Sequence, residues 1–422
     1  MNLPRAPRTL EETGVPRSLL AELAAKALFL SGPQRLPELA TRLRLPARIA
    51  EELVEQLRRE RLCEVAPSAG TTLVYGLTDL GHVRAEDFLR ACAYAGPAPV
   101  CLEDYAAQVR RQSMSEIVVR REDMARAFAG VVLREKLLDQ LGAAMNSGRA
   151  LFLYGPPGSG KTFIAERLAR LLPGEAAIPY AVRLGSQIVQ VFDSHSHRTV
   201  DDGVRAPDPF LEEAPDPRWV RCRRPVVTAG GELTLAMLEL QFDARTRFYA
   251  APAQLKANNG LFIVDDLGRQ LVRPKDLMNR WIVPLDRKID YLGLHTGEKF
   301  AVPFDVTVVF STNLAPAELA DESFLRRLGY KIYVGPLEEP QYRRLCAEVC
   351  ERLGLRHSER AVDALLARQR AEARPLLACT PHDLLSQARD RARYCGRPPE
   401  LSEELFDWAW ANYFAAHGAA SS

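Results

Sequence analysis

Apolar residues recur at three- and four-residue spacing in the early part of the chain, a pattern typical of amphipathic helices. The predicted helices cover residues 18–30, 35–43 and 47–59. Two short runs follow, LCEV at 62–65 and TTLVYGLT at 71–78, and the Pro-Ser-Ala-Gly stretch at 67–70 between them suits a hairpin turn. The pattern therefore predicts three helices, a β-hairpin and a further helix within about residues 14–92.

This N-terminal pattern resembles a winged-helix domain, and YGLTDLGHVRAEDFL resembles its passage from wing to helix. In DNA-binding members the third helix enters the major groove. Here that helix mixes acidic and basic residues: Arg48, Glu51, Glu52, Glu55, Arg58 and Arg59. Carboxylates repel phosphates, whose neutralisation supplies much of the affinity for DNA. The composition favours contact with a protein, while DNA remains an alternative.

A phosphate-binding loop follows a predicted strand in the middle of the chain. RALFLY at 149–154 leads into GPPGSGKT at 155–162, and the helical FIAERLARLL comes next. This is the P-loop pattern in its required strand–loop–helix setting. We expect Lys161 to reach the β- and γ-phosphates of ATP and Thr162 to bind Mg²⁺. The predicted nucleotide-binding residues are Gly155, Pro156, Pro157, Gly158, Ser159, Gly160, Lys161, Thr162 and Phe163.

An acidic pair at the end of an apolar run supplies the second part of the site. GLFIVDD places Asp265 and Asp266 directly after a strand-like segment. A P-loop hydrolase holds Mg²⁺ with a carboxylate at this position, which we assign to Asp265 together with Thr162. Asp266 is then the candidate for polarising the attacking water.

Two further motifs resemble those of AAA+ ATPases. The run VTVVF ends in Ser311, Thr312 and Asn313, where the resemblance makes Asn313 the sensor 1 residue that orients the water. In ESFLRRLGYKIYV, Arg326 and Arg327 resemble the arginine finger that AAA+ proteins offer to the neighbouring subunit. AAA+ proteins usually carry Glu where this chain has Asp266.

The segment from 338 to 414 is helical in pattern and resembles the AAA+ lid. In that family the third lid helix begins with a sensor 2 arginine. Here CTPHDLL places His382 at the matching position. A histidine is charged only part of the time near neutral pH, so the resemblance implies that His382 weakens this contact or that Arg389 or Arg391 replaces it.

More chain separates Lys161 from Asp265 than one helix and one strand can use, which indicates an insertion. Its segments IPYAVR, QIVQVF and RCRRPVVT are β-rich in pattern. RKIDYLGLHTGEKFAVPFD predicts a hairpin with its turn at 295–298. These features resemble the MoxR-type and enhancer-binding branch of AAA+ proteins, in which two extra loops face the ring pore.

The sequence thus predicts an α/β fold with a P-loop AAA+ core, in which helices flank a parallel sheet. A β-rich insertion, a helical lid and an N-terminal winged-helix domain complete the prediction. The predicted divisions are 1–95 for the winged helix, 96–128 for a linker, 129–336 for the ATPase core and 337–422 for the lid.

Composition adds few constraints to this picture. The chain has 422 residues and a formal charge of +2, so no global attraction to nucleic acid or anionic membrane is implied. No apolar stretch approaches the roughly 18 residues that span a bilayer, and the N-terminus lacks the apolar core of a signal peptide. We expect a cytoplasmic protein without membrane insertion.

Two other groups of residues each have two possible interpretations, and a cysteine pair is assigned a structural role. Trp219, Arg221, Arg223 and Arg224 form either a surface for nucleic acid or a solvated strand face, which is favoured. Asp193, His195 and His197 lack a fourth ligand at sensible spacing, so a polar loop is favoured over a metal site. Cys346 and Cys350 are assigned to core packing.

The favoured function is a hexameric ring of identical subunits that uses ATP and Mg²⁺ to remodel an unidentified protein complex. Two alternatives remain open: a DNA-acting or transcription-linked ATPase that uses the winged helix, and a nucleotide-gated switch or scaffold that hydrolyses slowly.

Overall fold

The computed structural model describes residues 3–67, 73–200, 214–319, 322–396, 398 and 402–414. The chain clusters into two compact units, each discontinuous in sequence. The first consists of Met1–Ile117, Leu172–Ile263 and Gln270–Val308, and the second of Val118–Leu171, Val264–Arg269 and Val309–Ser422.

The N-terminal part of the first unit has its helices and strands in the predicted order. They are α1 (Arg17–Ser31), β1 (Gln34–Arg35), α2 (Leu36–Leu43), α3 (Ala47–Arg59), β2 (Cys63–Ala66), β3 (Val74–Leu77) and α4 (Asp79–Ala91). The strands form an antiparallel sheet of order β1-β3-β2. Helix α3 buries Ile49, Leu53 and Leu57, as its apolar spacing requires. Most of the predicted turn, at 68–70, lies outside the described residues, and the winged-helix assignment stays a prediction.

The predicted linker at 96–128 is largely folded. It contains β4 (Val100–Cys101), α5 (Leu102–Arg111) and α6 (Arg121–Ala127). Helix α5 buries Tyr105 and Val109 in the core of the first unit. The linker prediction is therefore wrong for β4 and α5. The segment reads as polar because α5 buries only one face and exposes charged residues on the other.

The second unit continues with α7 (Glu135–Asn146), β5 (Leu151–Tyr154) and α8 (Lys161–Leu168). The chain then enters the insertion, whose β-rich character is confirmed. Its elements are β6 (Glu175–Pro179), β7 (Ala181–Leu184), β8 (Gln187–Gln190), β9 (Trp219–Arg223), β10 (Val226–Ala229), β11 (Gln241–Asp243), β12 (Phe248–Ala250) and α9 (Ala253–Lys256). Residues 201–213 of the insertion lie outside the described residues.

The insertion packs on the N-terminal segment within the first unit. Four of its strands join β4 of the preceding segment in a sheet of order β11-β12-β8-β7-β4, and β6 pairs with β9. Ala181 and Ile188 of this sheet belong to the same hydrophobic core as α1 and α3. The predicted boundary at residue 95 therefore does not separate two hydrophobic cores. Sequence periodicity cannot reveal that the insertion and the N-terminal helices share a core.

The next elements are β13 (Gly260–Val264), α10 (Pro274–Arg287), β14 (Ile289–Gly293), β15 (Lys299–Pro303), β16 (Val306–Thr312), α11 (Pro316–Leu319), α12 (Glu322–Leu325) and β17 (Tyr330–Tyr333). Strands β14 and β15 form the predicted hairpin, whose turn is closed by a hydrogen bond from Leu294 N to Glu298 O.

A central sheet has the strand order β10-β13-β16-β5-β17. Strands β16 and β17 both pair with β5 in parallel. Every residue of β13 and β16 is buried, which explains their continuous apolar sequences. Strand β10, which belongs to the insertion, forms an edge of this sheet. The predicted α/β fold with parallel strands is confirmed.

The C-terminal part of the second unit is helical. It contains α13 (Glu339–Leu353), α14 (Glu359–Ala371), α15 (Cys379–Tyr394) and α16 (Glu403–Tyr413). These helices enclose their own hydrophobic core, in which Cys346 and Cys350 are buried. Residues 415–422 of the predicted lid lie outside the described residues. Within the described part of the chain, no helix has the length and apolar character needed to cross a membrane.

Candidate nucleotide-binding site

The loop between β5 and α8 has a backbone that only glycine accommodates at key positions. Gly155 has φ +148°, and a Cβ there would lie 2.2 Å from the carbonyl oxygen of Val334. Gly160 precedes α8 with φ +92°. Because the first N–H groups of a helix have no intrahelical partner, the start of α8 offers donors to phosphate oxygens.

Lys161 begins α8 and points back over the loop. Its Nζ donates to the carbonyl oxygens of Gly155 and Pro156 at 3.0 and 2.9 Å and to Asn313 Oδ1 at 2.8 Å. Burial lowers the pKa of the Lys161 ammonium, and the Asp266 and Asp265 carboxylates oppose that shift. The structure thus brings the predicted P-loop lysine and the predicted sensor residue into contact.

Thr162, the second residue of α8, lies close to Asp265. Thr162 Oγ1 lies 3.0 Å from each carboxylate oxygen of Asp265. A hydroxyl and a carboxylate are hard oxygen donors that suit Mg²⁺. Among the described residues, no group of three or more His, Cys, Asp or Glu side chains is arranged to hold a metal. The Thr162–Asp265 pair fits Mg²⁺, which takes one or two carboxylates and completes its shell with phosphates and water.

Asp266 lies two residues after the end of β13 in a left-handed conformation, with φ +48°. Asp and Asn tolerate this region better than other residues with a side chain, which gives a local reason for Asp here. The loop after Asp266 is fixed to β16, since Leu267 N donates to Ser311 O and Thr312 Oγ1 donates to Leu267 O. Asp266 itself is exposed.

Lys161, Thr162, Asp266 and Asn313 line a cleft of about 580 Å³, whereas the predicted residues Gly155, Pro156 and Asp265 are not part of its lining. Its walls include predicted residues (Pro157, Gly158, Ser159, Gly160, Lys161, Thr162, Phe163, Asp266, Asn313 and His382). They also include residues without a sequence motif to identify them (Gly130, Val131, Val132, Leu133, Ile164, Arg167, Arg269, Ser311, Leu345, Arg352, Ala378 and Cys379). The second group includes three arginines, so the cleft is more cationic than the motifs indicate.

The start of α15 contacts the P-loop directly. Cys379 N donates to Gly158 O at 3.0 Å. His382, in the first turn of α15, also lines the cleft. Arg389 instead pairs with Asp390, and Arg391 stacks on Trp408 with its guanidinium carbon 4.7 Å from the ring centre. Neither arginine lines the cleft, so the structure gives no support to their replacing a sensor 2 arginine.

The candidate arginine finger lies between α12 and β17, as its motif predicts. Arg326 is exposed and forms an ion pair with Glu322 at 2.9 Å. Arg327 is half-buried. Neither residue lines the cleft of its own chain.

The remaining candidates have structural contacts. Lys256 pairs with Asp193 at 2.7 Å, and burial lowers the pKa of His197. Trp219 is buried. Arg221 pairs with Glu175, and Arg224 donates to backbone carbonyl oxygens. The polar-loop interpretation of Asp193 and His197 is consistent with these contacts, whereas Trp219 is buried and Arg221 and Arg224 are engaged, so they do not form a solvated strand face.

Two protein families match parts of the chain. Residues 128–196 match the family "Magnesium chelatase, subunit ChlI", and residues 338–412 match a domain of unknown function, DUF8689. The first match covers the P-loop and the start of the insertion, and the second covers most of the helical segment.

A curated relative is the type IV methyl-directed restriction enzyme EcoKMcrB subunit of Escherichia coli (strain K12), which is 25% identical over 230 residues. The match covers 51% of this chain, and the chain spans 42% of the relative's length. Similar solved structures include the Thermotoga maritima RuvB Holliday junction branch migration motor, at 14% identity and TM-score 0.37, covering 72% of each chain. NtrX from Brucella abortus in complex with ADP has 14% identity and TM-score 0.40, covering 67% of this chain and 56% of that chain.

Proposed function

Because the chain is an AAA+ ATPase, we propose that it couples hydrolysis of Mg²⁺-ATP in a ring of identical subunits to the remodelling of a partner protein complex. The observation that supports this proposal best is the convergence of Lys161, Asn313 and Asp266 on one cleft beside the Thr162–Asp265 pair.

In the proposed reaction, Asp266 accepts a proton from water as the water oxygen attacks the γ-phosphorus. The bond from the γ-phosphorus to the bridging oxygen breaks, and its electron pair leaves with ADP. Lys161 offsets the charge on the transferring phosphoryl group, and Asn313 orients the water. Thr162 and Asp265 would hold Mg²⁺, which would further neutralise the β- and γ-phosphates.

A neighbouring subunit completes the proposed site. Arg326 and Arg327 do not line the cleft of their own chain, although Arg326 exposes 76% of its side chain. A cation presented in this way suits the nucleotide of another subunit, and an arginine finger contributes roughly 10³ to 10⁵ in rate.

A protein partner is favoured over DNA by the surface of α3. The exposed residues of this helix include Glu51 and Glu55 as well as Arg48, Arg58 and Arg59. A helix that approaches phosphates gains from positive charge and loses from each carboxylate. The alternative of a DNA-linked ATPase is supported by the restriction-enzyme relative, which matches about half of this chain.

The test is phosphate release from ATP by the purified chain, with and without Mg²⁺, compared with Asp266→Asn. We expect Mg²⁺-dependent release by an assembly larger than the monomer in sedimentation. The Asp266→Asn variant should keep ATP binding and assembly but lose turnover, because Thr162 and Asp265 remain. Loss of binding together with turnover in Asp266→Asn would move the base role to another residue.

Duplex and single-stranded DNA, added to the same assay, distinguish the two functions. Stimulation by either form would favour the DNA-linked alternative, and an unchanged rate supports the protein-directed one. Absence of ATP binding by the wild-type chain would refute both.

A further inference from the structure

Arg269 lines the nucleotide cleft, although no motif of the sequence marks it. It lies on the same short loop as Asp266, and its backbone N donates to Asp266 O at 3.0 Å. This tight turn places the start of the arginine side chain beside the proposed catalytic carboxylate. The side chain is exposed and has no ion-pair partner within the described part of the chain.

The loop that carries Arg269 is rigid for identifiable reasons. Leu267 is buried and its backbone is hydrogen-bonded at both N and O to the end of β16. Gly268 has φ +105°, and a Cβ there would lie 2.8 Å from a methyl group of Leu314. The backbone of Arg269 is therefore held in place, which limits the entropy lost when its guanidinium binds a ligand.

The other two arginines that line the cleft, Arg167 and Arg352, lie on different elements from Arg269. Arg167 donates to Ala127 O at 3.1 Å and lies over the Phe163 ring. Arg352 is close enough for its charge to contribute to the lowered pKa of Arg167, after the larger effect of burial. Arg167 belongs to α8 and Arg352 to α13, whereas Arg269 lies on the loop after Asp266, which is hydrogen-bonded to Ser311 and Thr312 through Leu267.

With ATP bound, the negative charges of Asp266 and the γ-phosphate would require a nearby cation to offset their repulsion. When ATP is bound with its γ-phosphate toward Asp266, the carboxylate and the phosphate repel each other at short range. Lys161 offsets part of this repulsion from the P-loop side. On the loop that carries Asp266, the cleft-lining group with a positive charge is Arg269.

We propose that Arg269 is a catalytic residue that binds the γ-phosphate of the nucleotide held by its own subunit. The guanidinium donates hydrogen bonds to a non-bridging γ-oxygen and stabilises the negative charge that builds up as the bond to ADP breaks. Arg269 transfers no proton, because the water proton goes to Asp266. This inference rests on the proposed ATPase reaction.

The first test compares Arg269→Ala with Arg273→Ala in the full chain. Arg273 is an exposed arginine on the following segment that does not line the cleft, and its side chain makes no cap hydrogen bond to α10. Removing a fixed donor to developing charge lowers kcat by about 10²- to 10³-fold. We expect that loss in Arg269→Ala, with ATP affinity changed less than about tenfold, and wild-type kcat in Arg273→Ala.

Arg269→Lys should recover part of the lost kcat, because it restores the charge without the planar fork of donors. A mixture of Arg269→Ala and Lys161→Ala subunits then tests the assignment to the same subunit. The mixture should hydrolyse ATP no faster than Arg269→Ala alone, because every intact P-loop lacks its own Arg269.

Each alternative result has a distinct meaning. Wild-type kcat in Arg269→Ala, with an active wild-type enzyme, would refute the role of Arg269 and leave the proposed function intact. Restored activity in mixed rings would assign Arg269 to the neighbour's nucleotide and refute the proposal as stated. An inactive wild-type enzyme would instead refute the proposed function.

Discussion

Gly158 and Cys379 provide a quantitative test of how the helical segment meets the P-loop. Gly158 has φ +80°, and a Cβ at this position would lie 2.4 Å from Cys379 Sγ. Gly158→Ala therefore introduces two separate costs. A residue with a side chain in the left-handed region costs roughly 1–2 kcal/mol, and overpacking against the thiol costs roughly 1–3 kcal/mol.

The double variant Gly158→Ala/Cys379→Ala separates these costs. Without the sulfur, the nearest remaining contact of the new methyl group with residue 379 is its Cβ at 3.6 Å, an ordinary van der Waals distance. The left-handed backbone cost remains. The double variant should therefore be less impaired than the sum of the two single variants, with a coupling of roughly 1–3 kcal/mol.

The assay is the affinity for a fluorescent ATP analogue, because the strained loop must regain its phosphate-binding conformation when nucleotide binds. We expect Gly158→Ala to weaken binding by up to about 5 kcal/mol, and Gly158→Ala/Cys379→Ala by about 1–2 kcal/mol, where each 1.4 kcal/mol is a factor of ten. Cys379→Ala alone is the control and should bind almost as the wild type. Equal affinities for Gly158→Ala and the double variant would refute the steric reasoning.

Further predictions concern the charged residues. Lys161→Ala should abolish nucleotide binding, because the loop loses its own cation; wild-type affinity would show that the phosphate-binding assignment is wrong. Arg327→Ala and Lys161→Ala should each be inactive alone but recover hydrolysis when mixed, since Arg327 of one subunit can serve an intact P-loop on another; inactive mixtures in proven mixed rings would contradict this. If α3 reads DNA, binding should fall steeply between low and moderate salt, and no binding at low salt would leave a protein partner.

The sequence alone predicted the candidate nucleotide site because the chemistry of such a site is local. A P-loop needs glycines, a lysine and a threonine at fixed spacing, and these requirements are visible in GPPGSGKT. Strands β13 and β16 were also predictable, because a strand buried on both faces is a continuous apolar run. The polar residues that follow such strands meet at one edge of a parallel sheet, which explains why Asp266 and Asn313 share the cleft.

Tertiary structure alone decided which other residues reach that cleft. Arg269 reaches the cleft through the turn after Asp266, and Cys379 reaches it because α15 packs against the P-loop. Neither residue leaves a periodic signal in the sequence. The same limit explains the mistaken linker, since α5 buries a single face in a core built from distant strands. Hydrophobic periodicity reports which side of an element is buried, but the identity of its partner depends on contacts between residues far apart in sequence.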